Sequence, residues 1–447
     1  MSARCSYDRY LQAVPADWNV NSIAEISTVV GGGTPSRDVG QFWRGSIPWL
    51  TPGEVSSEAA IHISATRENI SKEGLRGSGA TLLPPGSLMI TTRATLGARA
   101  INTVPMTTNQ GFKSLVFKVP SDALFYYFLV DRLKPEFVRR ASGTTFLEVS
   151  GTEVGQIKVP VPPTCERALI AEILVMLDTT IRQTEAIIEK LKQIKKGLLH
   201  DLLTRGIDAN GELRAPQSQA PHLYKDSPLG WIPNEWNIFS IGQIVESIVD
   251  GPFGSNLKTE HYVELPGVRV VRLQNIDIGE YDDTERAFVS AEKAANLGRN
   301  EVLPGDVLIA ALGDESYPVG RACSYPTWLP KAINKADCFR LRPEKNRAIG
   351  EFVVHSLNGS RVRRQIKSFE QGVTLQRINI GNLRKIQILL PTISEQILGC
   401  EKLAAIQHNL AENMKFLAKS RHQRIGLMND LLTGQVRVTP LLDTADA

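Results

Sequence analysis

The chain has 447 residues, of which 42% are hydrophobic and 22% charged, with a formal net charge of +4. That length accommodates two or three domains with cores of their own, and the composition is that of an ordinary soluble globular protein. No run of about 18 apolar residues occurs, so no membrane span is expected, and the opening MSARCSYDRY lacks the apolar region of a secretory signal.

The five cysteines (Cys5, Cys165, Cys323, Cys338, Cys400) form no C-x-x-C pair. Reduced thiols in a cytoplasmic protein are expected, not zinc ligands or a disulfide framework. A charge of +4 is compatible with nucleic acid and decides nothing alone.

Taken in order, the chain says most things twice. Val14 to Val20 (VPADWNV) is echoed 218 residues later by Ile232 to Ile238 (IPNEWNI). Val30 to Ser36 (VGGGTPS) faces Val249 to Ser255 (VDGPFGS), and Ile47 to Pro52 falls opposite Val268 to Leu273. LPPGSLMI from Leu83 is echoed by LPGDVLI from Leu303, and Gly143-Thr144-Thr145 by Gly372-Val373-Thr374. Short apolar runs predict strands at Ser87–Thr92, Ser114–Val119 and Gln156–Val161, with counterparts at Asp306–Ala311, Cys338–Arg342 and Lys385–Leu390. A helix is predicted over Ala123–Ala141, with its counterpart at Ile349–Lys367.

Glu166 to Thr204 is different in kind. Ile170, Leu174, Leu177, Ile181, Thr184, Ile188 and Leu191 step by three and four, with Leu198 a further seven on, the spacing of one helix face. Pro162-Pro163 stand before it and Gly206 after it. At about 1.5 Å per residue this is a rod of about 58 Å. Adding 229 reproduces it at Glu395 to Thr433, so that KGLLHDLLT matches IGLMNDLLT and Leu174, Ile181 and Ile188 match Leu403, Leu410 and Leu417. Two long one-faced helices pair most simply with each other. Lys195, Arg424 and the pair Thr184/Asn413 interrupt the seam, either fixing register or touching a partner. The Pro-, Ser- and Gln-rich stretch between the halves reads as a linker or an extended connection.

The expected organisation is a first globular domain (1–164), a spacer helix (165–206), a linker (207–230), a second domain (231–393), a second spacer helix (394–434) and a frayed tail (435–447). The expected fold class is α+β: two strand-rich domains in tandem repeat, separated by two long helices packed as an antiparallel coiled coil with a pseudo-twofold axis.

No chemistry-bearing motif accompanies this repeat. There is no P-loop, and Gly31-Gly32-Gly33 runs into Thr34-Pro35-Ser36, so turn glycines explain it better than a dinucleotide fingerprint. Neither Pro-Pro pair fits an adenine-methyltransferase motif. The seven histidines show no H-x-x-x-H or Cys/His grouping. A duplicated chain without a site signature points to recognition, not catalysis. The polar and basic residues at element ends carry that reading. They are Thr34, Ser36, Arg37, Arg93, Arg99 and Lys113, with Asn109 and Gln110, in the first domain. In the second they are Ser255, Asn256, Lys258, Arg272, Gln274 and Asn275, with Arg269. Arg reads guanine and Asn or Gln reads adenine in the major groove, while Ser, Thr and Lys supply phosphate contacts. Arg139-Arg140 and Arg361 to Arg364 recur at matching helix ends, where a solvated face is the plainer explanation of either alone.

The order of the VPADWNV, GGGTPS, LPPGSLMI and KGLLHDLLT elements, given twice, resembles the specificity (S) subunit of Type I restriction–modification systems. The resemblance covers nearly the whole chain. It implies two target recognition domains, each reading half of a split double-stranded DNA site, and spacer helices that set their separation. It also implies two methyltransferase (M) subunits with S-adenosylmethionine and restriction (R) subunits with ATP and Mg, leaving this chain without cofactor or catalytic residue. A purely structural coiled-coil adaptor and a stand-alone DNA-modifying enzyme are the alternatives.

Overall fold

The computed structural model describes residues 3–55, 60–142, 147–372 and 375–443. Gly143-Thr144-Thr145, Val373-Thr374 and the last four residues of the tail lie outside them.

Two compact units are formed, and neither is a simple half of the chain. One comprises Met1–Ala186 with Lys415–Ala447, the other Ile187–Met414. The long helices run Thr164–Leu202 and Ile393–Thr433. Each unit therefore holds the first part of one helix and the last part of the other, and in both units the two segments run antiparallel. In the first unit Asp178 pairs with Arg424, and Glu185 with Arg421 at 2.7 Å. Arg424 thus lies at the seam as a register ion pair. In the second unit Leu202 and Leu403 are buried, with the half-buried Leu198 and Leu398 packed against them.

The first unit is built on a sheet in the order Ser27–Gly31, Phe112–Phe117, Leu88–Arg93, Thr95–Asn102, His62–Ile63. Alternate residues of these strands point to opposite faces. Leu88, Ile90, Leu115 and Phe117 meet Phe125, Phe128, Leu133 and Phe137 of the helix Asp122–Arg140. Met89, Ala100 and Phe112 turn the other way, against Leu50, Leu83 and Met106. Full burial of each such side chain contributes about 1.5–3 kcal/mol. A second sheet places Trp43–Leu50 between Glu68–Ile70 and Thr107–Thr108.

The second unit repeats this plan. Its main sheet runs Val245–Val249, Cys338–Pro343, Val307–Ala310, Ala322–Ser324. Val307, Ile309 and Phe339 face helix residues Val353 and Leu357, while Leu308 and Cys338 face Val271 and Tyr325. The second sheet again carries a parallel pairing: Trp49 stands opposite Thr107 in the first unit, and Arg269 opposite Ala332 here.

Three expectations change. The counterpart of Asp122–Arg140 is not one helix but two, Gly350–Asn358 and Ser360–Phe369, parted where Gly359 takes an extended backbone. Gln156, expected to open a strand, instead ends the short helix Gly151–Gln156 capped by Ser150, and the strand is Lys158–Val161. The stretch 207–230 is packed, not free. Ile207 and Tyr224 are buried, and Tyr224–Lys225 pairs with Ile232–Pro233.

The echoed tryptophans explain why the openings repeat. Trp18 donates from Nε1 to Glu166 at 3.0 Å, and Trp236 to Glu395 at 3.2 Å. In each unit an arginine closes the cluster: Arg437 reaches Glu166 and Asp17, and Arg214 reaches Glu395 and Glu235.

Candidate nucleic-acid interface

In the first unit the polar loops gather at one end of the main sheet. Gly31 pairs with Lys113 across the first two strands, and Arg93 closes the hairpin Leu88–Arg93/Thr95–Asn102, where Ala94 takes a left-handed φ of 62°. Glu148 draws both cations together, 3.3 Å from the Lys113 ammonium and 3.7 Å from Arg93.

Beside them the glycine turn docks on the loop that follows Thr108. Gly33 donates to the Thr108 carbonyl at 2.9 Å, and its own carbonyl accepts from Trp49 Nε1 at 2.9 Å. A Cβ on Gly32 would stand 1.9 Å from the Asn109 carbonyl oxygen, so only glycine fits there. Thr34 then hydrogen-bonds Gln110, and both are exposed. Arg37 lies 3.8 Å over Trp43 and makes a two-pronged pair with Glu68 at 2.5 and 2.8 Å, a stacked and oriented guanidinium at the surface. Ser36 is exposed beside it and accepts from Trp43 through its carbonyl.

The second unit builds the equivalent end with different chemistry. Gly251 crosses Lys335 as closely as Gly32 crosses Asn109. Ser255 and Asn256 lie in the turn Gly254–Asn256, and Lys258, exposed, pairs with Glu260 at 3.5 Å. Arg272 and Gln274 both reach Glu285, at 3.5 and 2.9 Å. Asp277, Asp282, Glu285 and Asp314 line a cleft of about 500 Å³ next to Gln274. Beneath it Arg321, 4% exposed, ties loops together by donating to the carbonyls of Ile276, Leu273 and Leu312. Burial lowers its pKa, and no carboxylate is among its hydrogen-bond acceptors there.

Three expected contacts are corrected. Arg99 is 3% exposed, held by Asp131 at 2.9 and 2.7 Å and stacked 4.6 Å over Tyr127. It lies on an inward-facing position of its strand and braces the helix. Burial pushes the Asp131 carboxyl up, but the Arg99 hydrogen bonds and charge, joined by Lys134, outweigh that and bring it to about 2. Asn275 is 1% exposed and spends its side chain on the backbone of Arg272, Asp282 and Glu285. Arg269, also buried, pairs with Asp283.

The remaining twelve residues lie in or beside these two loop clusters. Trp43, Glu148, Glu285 and Arg321 were not foreseen. Trp43 carried a signal, an aromatic six residues after an arginine in a turn region. The carboxylates carried none, because their partners are set by tertiary pairing. Among the described residues no group of His, Cys, Asp and Glu is arranged to hold a metal ion, and no helix is long and apolar enough to cross a membrane.

Comparison with known proteins agrees with this architecture. Residues 15–193 match the family model described as the Type I restriction modification DNA specificity domain. The chain is 30% identical over 267 residues to the Type I restriction enzyme MjaIX specificity subunit of Methanocaldococcus jannaschii, covering 59% of each chain. It is 24% identical over 435 residues to the MjaVIII specificity subunit of the same organism, covering 96% of this chain and 95% of that one. Among solved structures, the S subunit of a Type I restriction–modification system from M. genitalium superposes with a TM-score of 0.54 at 14% identity, over 94% of this chain and 96% of that one.

Proposed function

We propose that this chain, which belongs to the specificity subunits of Type I restriction–modification systems, reads a bipartite double-stranded DNA target with one recognition domain per half-site. The observation that carries the proposal is the duplication of a loop cluster on one architecture with different side chains in each copy. In the first, Arg37 stacked on Trp43 and the Arg93/Lys113 pair offer donors suited to guanine edges and phosphates. In the second, Arg272 offers donors, while Gln274 and the acidic cleft offer acceptors as well, suited to the amino groups of cytosine and adenine. One plan with two chemistries suits a target whose halves differ.

The chain's part is recognition and assembly, without a catalytic step. M subunits, which carry S-adenosylmethionine and methylate adenine, dock along the paired helices. Apolar side chains left open on those helices support this: Met176, Phe416 and Ile425 in the first unit, and Ile187, Ile194 and Met414 in the second. R subunits supply ATP- and Mg-dependent cleavage of unmodified DNA. The paired helices make half-site separation a property of the protein, as dimer spacing does for other DNA readers. The assembly works in the cytoplasm.

The test is to map methylated adenines in DNA from cells carrying the full system before and after residues 1–150 are exchanged for those of a relative. One half-site is expected to change while the other and the spacing stay. A change in both halves, or in neither, would overturn the two-reader model.

A further inference from the structure

The two units differ at one furrow. In the first, the helix Ala3–Gln12 fills the space between the helix Asp122–Arg140, the end of the second long helix and the strand Lys158–Val161. Tyr7 is 6% exposed, and its hydroxyl donates to the Lys158 carbonyl at 2.7 Å. Tyr10 donates to the Leu432 carbonyl at 2.8 Å, with Arg132 5.2 Å over its ring.

The second unit has the same three walls. The repeat takes Lys158 to Gln387 and Leu432 to Leu203, and both line an open groove of about 360 Å³ together with the helix starting at Ser360. Its floor is apolar, from Leu199, Leu203, Val362 and Leu389. Among the described residues no segment fills it. By the repeat offset residues 221–232 are the counterpart of 3–14, but they carry Pro221 and Pro228, which a helix interior does not tolerate, and they form the pairing Tyr224–Lys225 with Ile232–Pro233 instead.

The rim differs as well. In the first unit Glu136 neutralises Arg139 at 2.5 Å and Arg140 at 3.3 Å. In the second, Lys196, His200, Arg361 and Arg364 line the groove, and no ion pair reaches Lys196, Arg361 or Arg364 among the described residues. Burial and the neighbouring Arg364 charge lower the Arg361 pKa, the sign of a cation without an anion.

We propose that this groove docks an acidic amphipathic helix of a partner polypeptide, which sets aromatic side chains three residues apart on the apolar floor and carboxylates on Lys196, Arg361 and Arg364. The first unit shows the mode of binding, with Tyr7 and Tyr10 as the pattern. Charge selects the occupant. The chain's own helix carries Arg4 and Arg9 against one Asp8, so a second copy of it would set like charges on the rim. Nucleic acid would meet the cations but leave the floor wet. The inference stands on the repeat and is independent of the DNA reading.

The experiment measures fluorescence anisotropy of stapled, labelled peptides with the full chain. One peptide is ARCSYDRYLQ; the other is the same sequence carrying Arg4→Glu and Arg9→Glu. The acidic peptide is expected to bind at least about tenfold more tightly, a difference of about 1.4 kcal/mol. Leu203→Glu is expected to abolish that binding. Arg361→Glu, at the rim, is expected to weaken it about fivefold with an unchanged melting temperature. Equal or tighter binding of the unaltered peptide would make a second copy the occupant and overturn the proposal. Displacement of the acidic peptide by a short mixed-sequence duplex would point to nucleic acid and overturn it too. Failure of the acidic peptide to bind, or binding insensitive to both substitutions, would overturn it outright.

Discussion

Glu166 and Glu395 hold the same post in the two units, yet the arginines that complete them come from unlike places. Arg437 follows the second long helix, while Arg214 sits in the stretch after the first. Glu166 stands in the first turn of the first long helix and its arginine comes from beyond the second, so the first unit is closed by residues near the other end of the chain. The repeat is therefore circular in space although it is linear in sequence, and the stretch 207–230 does for one unit what the segment after Thr433 does for the other. The packed state of Ile207 and Tyr224 follows from that role.

The sharpest way to break this equivalence is to remove the arginines one at a time. Arg437→Ala leaves the Glu166 carboxylate, 1% exposed, without its counter-charge, and Arg214→Ala does the same to Glu395 at 9%. Each is expected to cost about 3–5 kcal/mol. Hydrogen exchange should report the loss locally: around residues 15–25 and 158–175 for Arg437→Ala, and around 232–240 and 387–400 for Arg214→Ala. Loss spread evenly over both units in either variant would contradict the circular repeat.

Acid should also separate the units, in two windows. In the second unit, burial and then the nearby Lys195 push the His355 imidazole down from 6.5 to about 4. A depressed histidine means that folding favours the neutral form. The stability it contributes is complete above about pH 6.5 and is lost as pH falls toward 4. His355→Phe is expected to flatten that part of the stability–pH curve, an effect of about 3 kcal/mol at pH 4. An unchanged slope would assign the transition to other groups. Lys195, ambiguous as a seam residue, thus acts on the second domain's helix.

The smallest effect belongs to the Arg99–Asp131 pair of the first unit. The strand position of Arg99 is taken by Ala322 in the second, so the pair has no counterpart. Asp131 is held at about 2, below its usual 3.8, so its contribution is present above pH 3.8 and lost as pH falls toward 2. Arg99→Ala is expected to lower stability by about 1–2 kcal/mol, discounted because Asp131 is a third exposed, and to remove that lower window. Stability measured between pH 4 and 2 in the parent and the variant decides it. A selective loss of base discrimination with unchanged stability would return Arg99 to the DNA surface.

Most of the architecture was legible because it is written in period and repetition. The long helices announced themselves by three- and four-residue spacing without internal proline, and the strands by alternation between Gly and Pro turns. Individual contacts were less legible. Arg37, Arg93 and Arg99 look alike in sequence, all arginines at strand or turn ends, and only pairing register puts Arg99 inside and leaves the other two accessible. Asn275 reads as a donor for adenine, but a turn claims its amide. The N-terminal helix Ala3–Gln12 is short and its apolar face is thin, so its one legible signal is the spacing of Tyr7 and Tyr10 on a shared face.

By itself the sequence determined the two-domain repeat, the paired helices and the likeness to specificity subunits, because these rest on local periodicity and on order along the chain. Only the tertiary structure decided which arginine completes which glutamate, which polar residues face outward, and that one furrow is filled while its twin stands open. Those outcomes depend on contacts between residues far apart in sequence, such as Trp18, Glu166 and Arg437. The offset between Arg214 and Arg437 is 223, not the 229 of the helices that precede them, so no fixed register could have matched the two.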